Sequence, residues 1–433
     1  MKLIIHRGTK EIGGSCVELQ SEKARIIIDL GMPLVNDQNE PFDSRLLEGK
    51  SIPELIDSHV LPKVSGLYAG EAKSIDAILI SHPHQDHYGL LRYINPEIPV
   101  YLSRGALALI QASDIFIPTK ANLRNVITFK MWEPFIIGNL VITPQLVDHS
   151  AFDAAAFLIE SEGKKILYSG DFRGHGRKRI LFDKAIYYPI KNVDYLLLEG
   201  SMLGRGEGLY LSERAVEDKM VTMFRDKKNM AFVFCSSQNI DRIVSIYRAA
   251  KRSGQITVID LYTAYILNNL KSISKSLPQY WWPDIKVFYF QNHAKTLADS
   301  GLKSFLYDCI KAKIEKKDLN LNKNNIVMIT RDNYDFKRLL GYIDDFTGVK
   351  AIYSMWEGYL ENSDLMDRMN QKGIELEIVH TSGHAPERDL KRLVEAFKPK
   401  CIVPIHTFHP EKYQTLFPNA NVHSLNDGEE FSL

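Results

Sequence analysis

Ser81-His82-Pro83-His84-Gln85-Asp86-His87 follows directly on the apolar run Ala77-Ile78-Leu79-Ile80. A short apolar run that ends in polar residues reads as a buried strand, so the cluster stands at a sheet edge that substrates can reach. Three imidazoles and one carboxylate fall within six residues, in a chain with only 13 His among 433 residues. Imidazole nitrogens and carboxylate oxygens are the donors that borderline divalent ions such as zinc select. A polar loop with chance histidines is the rival, and this density in so His-poor a chain speaks against it. Neighbouring side chains cannot all reach one ion, so His82, His84, Asp86 and His87 point to two.

Short ligand-type residues recur where other apolar runs stop. His149 follows Asp148 after the run 141–147, Asp171 follows 166–170, and His406 follows 401–404. Each alone is more simply a hydrogen-bonded residue; together they are candidate ligands. A catalytic zinc takes three or more protein ligands and keeps a position open. Asp29 ends Ile26-Ile27-Ile28 and precedes Gly31. A carboxylate there either holds the far nitrogen of a ligand histidine or merely shapes a turn.

The length suggests about two or three domains, and 45% hydrophobic with 25% charged residues is ordinary globular composition. No apolar run approaches the about 18 residues of a membrane span. The start, Met1-Lys2-Leu3-Ile4-Ile5-His6-Arg7, turns polar too soon for a signal peptide. Cys16, Cys235, Cys309 and Cys401 form no CxxC pair, which argues against disulfides and a cysteine zinc site. A reducing cytoplasm is the expected location.

Up to residue 204 the pattern is mostly short strands (2–5, 16–19, 25–29, 140–142, 155–159, 165–168, 195–198), with a helix at 106–112. Helices at 212–225 and 239–252 then alternate with strands at 230–235, 256–259, 286–290 and 326–329, as in a parallel sheet covered by helices. A strand at 376–379, a loop at 380–384, a helix at 387–397 and a strand at 401–404 close the chain. The expected organisation is one domain split between 1–204 and 373–433, with an α/β module, 205–372, inserted.

A net charge of +1 neither demands nor excludes nucleic acid. Arg173 and Arg177, in the basic stretch after Asp171, are candidates for tracking phosphates. Arg242, Arg248, Lys251 and Arg252 read as the solvated face of a helix. Ser236 and Ser237 before one helix, and Thr381, Ser382 and Gly383 before another, are candidate phosphate cradles of backbone amides. Ordinary N-capping is the rival for both. Trp356 and Tyr359 either stack on bases or, more commonly for such residues, pack in a core.

His82, His84, Asp86 and His87 match the HxHxDH signature, and by it the chain resembles the metallo-β-lactamase superfamily. The resemblance implies an α/β fold, an αββα sandwich, with Asp29 as its first aspartate motif, His149 as its downstream histidine and Asp171 as its bridging carboxylate. The chain is similar, further, to the β-CASP nucleases, ribonuclease J among them. Glu199 in Leu196-Leu197-Leu198-Glu199-Gly200, His384 in Thr381-Ser382-Gly383-His384-Ala385 and His406 in Pro404-Ile405-His406 match their additional motifs. The insertion lies where that group carries its cap domain. A histidine at the last motif favours RNA over DNA. The stretch from Asp171 to Lys178 does not fit the ribonuclease J pattern.

The resemblance thus implies a nuclease that hydrolyses RNA or single-stranded nucleic acid through a water activated by two divalent ions, zinc with manganese as the alternative. His82, His84 and His149 would hold one ion, Asp86, His87 and His406 the other, with Asp171 between. Asp86, Glu199 and His384 are the catalytic candidates. A DNA nuclease of the same fold and a small-ester or thioester metallo-hydrolase are the alternatives, and a binding subunit without activity is a third. The large insertion argues against a small substrate. End-trimming and internal cutting are both open. No membrane partner is expected. A homodimer stays open, although the chain ends at Leu433, too soon after His406 for ribonuclease J's C-terminal domain.

Overall fold

Alternation within single strands sets the layers. In Arg25–Ile28, Ile26 and Ile28 enter one apolar cluster and Ile27 another; Ala77 and Leu79 likewise part from Ile78. Strands buried on both faces belong inside a layered structure. The computed structural model describes residues 1–36, 40–205, 210–361 and 363–433.

Two sheets face each other. The first runs Glu430–Ser432, Lys2–Arg7, Cys16–Gln20, Arg25–Ile28, Ala77–Leu79, Val100–Ser103 and Val126–Phe129, antiparallel as far as Arg25–Ile28 and parallel beyond it. The second runs Cys401–Ile405, Tyr195–Glu199, Lys164–Tyr168, Ala155–Ser161, Leu140–Leu146 and Phe135–Ile137. Leu3, Ile26, Leu79, Phe157, Ile166 and Val403 fill the space between them. Each fully buried aliphatic or aromatic side chain there contributes about 1.5–3 kcal/mol. Helix Arg104–Phe116 covers the first sheet's outer face through Ala106 and Ile110, and helices Arg179–Tyr187 and Glu387–Phe397 cover the second's through Phe182, Leu390 and Phe397. This is the expected αββα sandwich.

The third sheet is wholly parallel, in the order Lys313–Ile314, Ile285–Phe288, Ile256–Asp260, Ile326–Thr330, Ala231–Phe234, Lys350–Tyr353, Leu376–Ile378. Ala231 and Val233 bury into one core, Phe232 and Phe234 into the other, so helices cover both faces. Leu376 pairs in register with Ala351. The strand Leu376–Ile378 therefore belongs to this module's sheet, not to the returning sandwich segment that the sequence division begins at 373. No helix among the described residues is long and apolar enough to cross a membrane.

Register positions the site. Ile28 pairs with Leu79 in parallel, so Asp29 and the His82 loop leave the first sheet at the same edge. Glu199 pairs with Ile405, which brings His406 beside it. Asp29 (φ 61°) and His406 (φ 50°) adopt left-handed backbone, rare for residues other than glycine, and turn the chain sharply as each strand ends.

Candidate metal centre

His84 caps a short helix, Gln85–Tyr88, that carries Asp86 and His87. The segment after Arg25–Ile28 clamps this helix by backbone bonds: Leu30 N–H to His87 O, 2.8 Å, and Met32 N–H to Gln85 O, 2.9 Å. A β-carbon on Gly31 would lie 1.6 Å from the Asp86 carbonyl oxygen. Glycine is therefore obligatory there, and the Gly31 seen in the sequence as a turn neighbour is a packing requirement of the ligand helix.

Two groups of donors result. His82, His84 and His149 form one; Asp86, His87, Asp171 and His406 form the other. Asp171 stands between them: its Oδ2 lies 3.6 Å from His82 Nε2, 3.3 Å from His87 Nε2 and 4.0 Å from His149 Nε2, and its Oδ1 lies 3.7 Å from His406 Nε2. His384 Nδ1 lies 3.6 Å from Asp171 Oδ2 and 3.6 Å from Glu199 Oε2. The structure thus brings together all nine side chains expected at this edge, apart from the outer Asp29.

The far ring nitrogens fix which atoms face inward. The Gly383 carbonyl can only accept, so His149 Nδ1 carries the proton of that 2.6 Å bond and Nε2 is left bare. Ser81 Oγ donates to Asp29 Oδ2 at 2.8 Å, so its 3.0 Å contact with His82 Nδ1 is donated by the imidazole. Asp29 Oδ2 takes the His87 Nδ1 proton at 2.8 Å and the Tyr168 hydroxyl at 2.7 Å. Such outer acceptors orient ligand imidazoles and raise their basicity. Ser81 and Tyr168 escaped the sequence reading, because nothing local marks them as partners of Asp29.

His82 Nε2 and His149 Nε2, neither carrying a proton, then each lie 3.2 Å from His84 Nδ1. His87 Nε2, His406 Nε2 and both oxygens of Asp171 are buried without a hydrogen-bond partner. Buried polar atoms seldom go unpaired. Burial pushes His82 and His149 well below the ordinary imidazole range, into the neutral form that ligates metals. Burial works against charge on Asp171, yet the surrounding imidazoles outweigh it and hold the carboxyl well below its usual range. Ring nitrogens and an ionised carboxylate crowded together in this way fit divalent metal.

Glu199 is fully buried and accepts from Ser201 N–H at 2.9 Å, Ser201 Oγ at 2.7 Å and Ala385 N–H at 3.2 Å. Burial lowers the His384 pKa, but the Asp171 and Glu199 carboxylates outweigh it and raise it above the ordinary value.

Several expected nucleic-acid contacts have other partners. Arg173 is fully buried; its guanidinium donates to Asp241 Oδ2 at 2.7 Å and to the Ser382 carbonyl at 2.8 Å. Arg177 donates to Glu217 at 2.9 Å and Ser245 at 3.0 Å. Both guanidiniums are thus tied to acceptors within the protein, as the fully buried one of Arg173 requires. Arg242, read as part of a solvated face, is likewise buried against Glu213. Ser237 is buried with its hydroxyl against Thr263 at 2.8 Å and Arg331, so it offers no side chain to a phosphate. Ser236 is exposed and accepts from Gln238 N–H at 3.2 Å, while Asn239 caps the helix. The Thr381, Ser382 and Gly383 carbonyls are held by Arg242, by Arg173 and His175, and by His149. That loop carries His384 and is linked through Arg173 to Asp241 of the third-sheet module.

Residues 60–229 match the β-lactamase superfamily domain, and residues 374–413 match the Zn-dependent metallo-hydrolase RNA specificity domain. Ribonuclease J of Helicobacter pylori (strain B128) is 25% identical over 451 residues, covering 98% of this chain and 59% of that protein. An RNase J-like protein of Methanocaldococcus jannaschii is 27% identical over 301 residues, 66% of this chain and 63% of that one. The chain thus spans about six-tenths of the length of these curated relatives. A protein of unknown function from Enterococcus faecalis V583 has the same fold, with a TM-score of 0.80 at 21% identity over 100% of this chain and 99% of that one. Together with the two donor groups about Asp171, these matches show a β-lactamase superfamily domain over residues 60–229 in a chain similar, over nearly its whole length, to ribonuclease J.

Proposed function

We propose that this protein is a metal-dependent phosphodiesterase that hydrolyses RNA. The carrying observation is the pair of donor groups about Asp171, with buried ring nitrogens and carboxylate oxygens left unpaired. Similarity to ribonuclease J and to the RNA specificity domain supports RNA as the substrate.

His82, His84 and His149 would hold one divalent ion and Asp86, His87 and His406 a second, with Asp171 within reach of both groups. Two such ions, zinc with manganese as the alternative, would acidify a water and neutralise the phosphate's charge. The chain's own groups do the rest. Asp29, Ser81 and the Gly383 carbonyl keep the imidazoles oriented. His384, 24% exposed at its side chain and facing Asp171 and Glu199, is placed to meet the phosphate or protonate the leaving oxygen. Glu199, pinned by Ser201 and Ala385, holds it there. The third-sheet module forms a cap, 205–372 with Leu376–Ile378 added, which suits a polymer better than a small ester.

Metal analysis of the purified protein and an end-labelled RNA assay test this. About two zinc or manganese ions per chain and chelator-sensitive cutting of RNA are expected. Hydrolysis of thioesters with no action on RNA or DNA overturns the proposal, and preference for the DNA form of one strand corrects the substrate.

A further inference from the structure

Trp356 and Tyr359 do not pack in the core. They stand 47% and 57% exposed, edge to face, with ring centroids 5.1 Å apart at 85°. They follow strand Lys350–Tyr353 on a short turn, Glu357–Tyr359. The Trp356 ring folds back over Gly358, where a β-carbon would lie 2.4 Å from its Cη2. The Arg205 guanidinium carbon lies 5.1 Å from the same ring. An exposed aromatic pair held in one geometry, with a cation against it, leaves little ordering cost to be met when a ligand binds.

Two bonded chains tie the platform to the loop that carries His384. Ser354, two residues before Trp356, accepts from Arg242, whose guanidinium also reaches the Thr381 carbonyl at 3.5 Å, on the loop that ends in His384. Arg205 N–H donates to Met202 O at 3.3 Å, and Met202 Sδ accepts from Ser382 Oγ at 3.1 Å.

We infer that Trp356, Tyr359 and Arg205 form a stacking platform for a base of single-stranded nucleic acid beside the metal centre, with Arg205 drawing in the adjoining phosphate. This rests on the nuclease reading above and adds to it how the strand is gripped. Aromatic faces accept every base, so the platform gives affinity with little sequence preference. A duplex, whose bases are already stacked, gains nothing from it.

Binding of a phosphorothioate-protected single strand, read as Kd by fluorescence anisotropy, is compared with that of an abasic strand of equal length. Both are made in ribose and deoxyribose form. The wild-type protein is expected to bind the base-bearing strand roughly tenfold tighter. Trp356→Ala binds both strands alike, and Trp356→Phe, which keeps an aromatic face, restores most of the gap. A wild-type protein blind to the loss of bases, or a Trp356→Ala variant that keeps the tenfold gap, overturns the platform and leaves the nuclease reading standing. Failure of the wild-type protein to bind or cut any strand removes both.

Discussion

The sandwich and the inserted module each gather polar side chains where their strands end, yet the two gatherings differ in kind. In the module, Asp260 accepts from Thr263 N–H at 2.7 Å and pairs with Arg331, which also donates to Ser237. Charge there is cancelled from within. In the sandwich, among the described residues, no lysine or arginine pairs with Asp86 or Asp171; their ion-pair partners are all histidines. A polar cluster that satisfies itself is scaffold, and one that leaves donors of a single kind unspent is a site awaiting something from outside.

The sharpest way to break this contrast is a pair of variants. Asp171→Ala should lose metal content and RNA hydrolysis to background while retaining the fold by circular dichroism. Arg331→Met should lower the melting temperature, by about 1–3 kcal/mol of stability, with metal content intact. If metal loss follows Arg331→Met as readily, the two clusters are not distinct in kind. Asp29→Asn tests the middle range. It removes the charge that takes the His87 Nδ1 proton, and metal affinity measured by chelator competition should fall about 10–100-fold.

The smallest effect concerns a third, self-satisfied cluster. Glu18 takes both Arg25 and His6 at its carboxylate. Burial alone would raise its pKa, but these hydrogen bonds outweigh it and bring it down to about 2 from 4.5. A depressed carboxyl stabilises the fold above its ordinary pKa, and that contribution is lost as pH falls from about 4.5 towards 2. Glu18→Gln should flatten this acid limb in thermal melts without altering metal content. An unchanged limb would mean that Glu18 is equally stabilised in the unfolded chain.

The line between what a sequence reveals and what it hides runs through particular residues. The cluster at His82–His87 was legible because its chemistry is local: one apolar strand ends and four donors follow. Alternating Ile26, Ile27 and Ile28, and the apolar face of Glu387–Phe397, were legible because period-2 and period-3.6 patterns need no knowledge of the partner. Strands Val100–Ser103, Val126–Phe129 and Lys350–Tyr353 carry weaker patterns and emerged only with their neighbours in place. Asp29, His149, Asp171, Glu199, His384 and His406 were named from strand ends and resemblance. Their convergence depends on sheet register across hundreds of residues, which no local window contains.

By itself, then, the sequence determined which residue types could ligate, where strands stop, and that a parallel α/β module interrupts a strand-rich domain. Only the tertiary structure decided which charges are spent. Arg173, Arg177 and Arg242 look in sequence like a basic surface, and folding buries or ties each against a carboxylate from a distant segment. Trp356 and Tyr359 look like core, and folding leaves them open to solvent. The physical reason is the same for both: burial and pairing are properties of the surroundings of a side chain, and those surroundings are assembled from segments far apart along the chain.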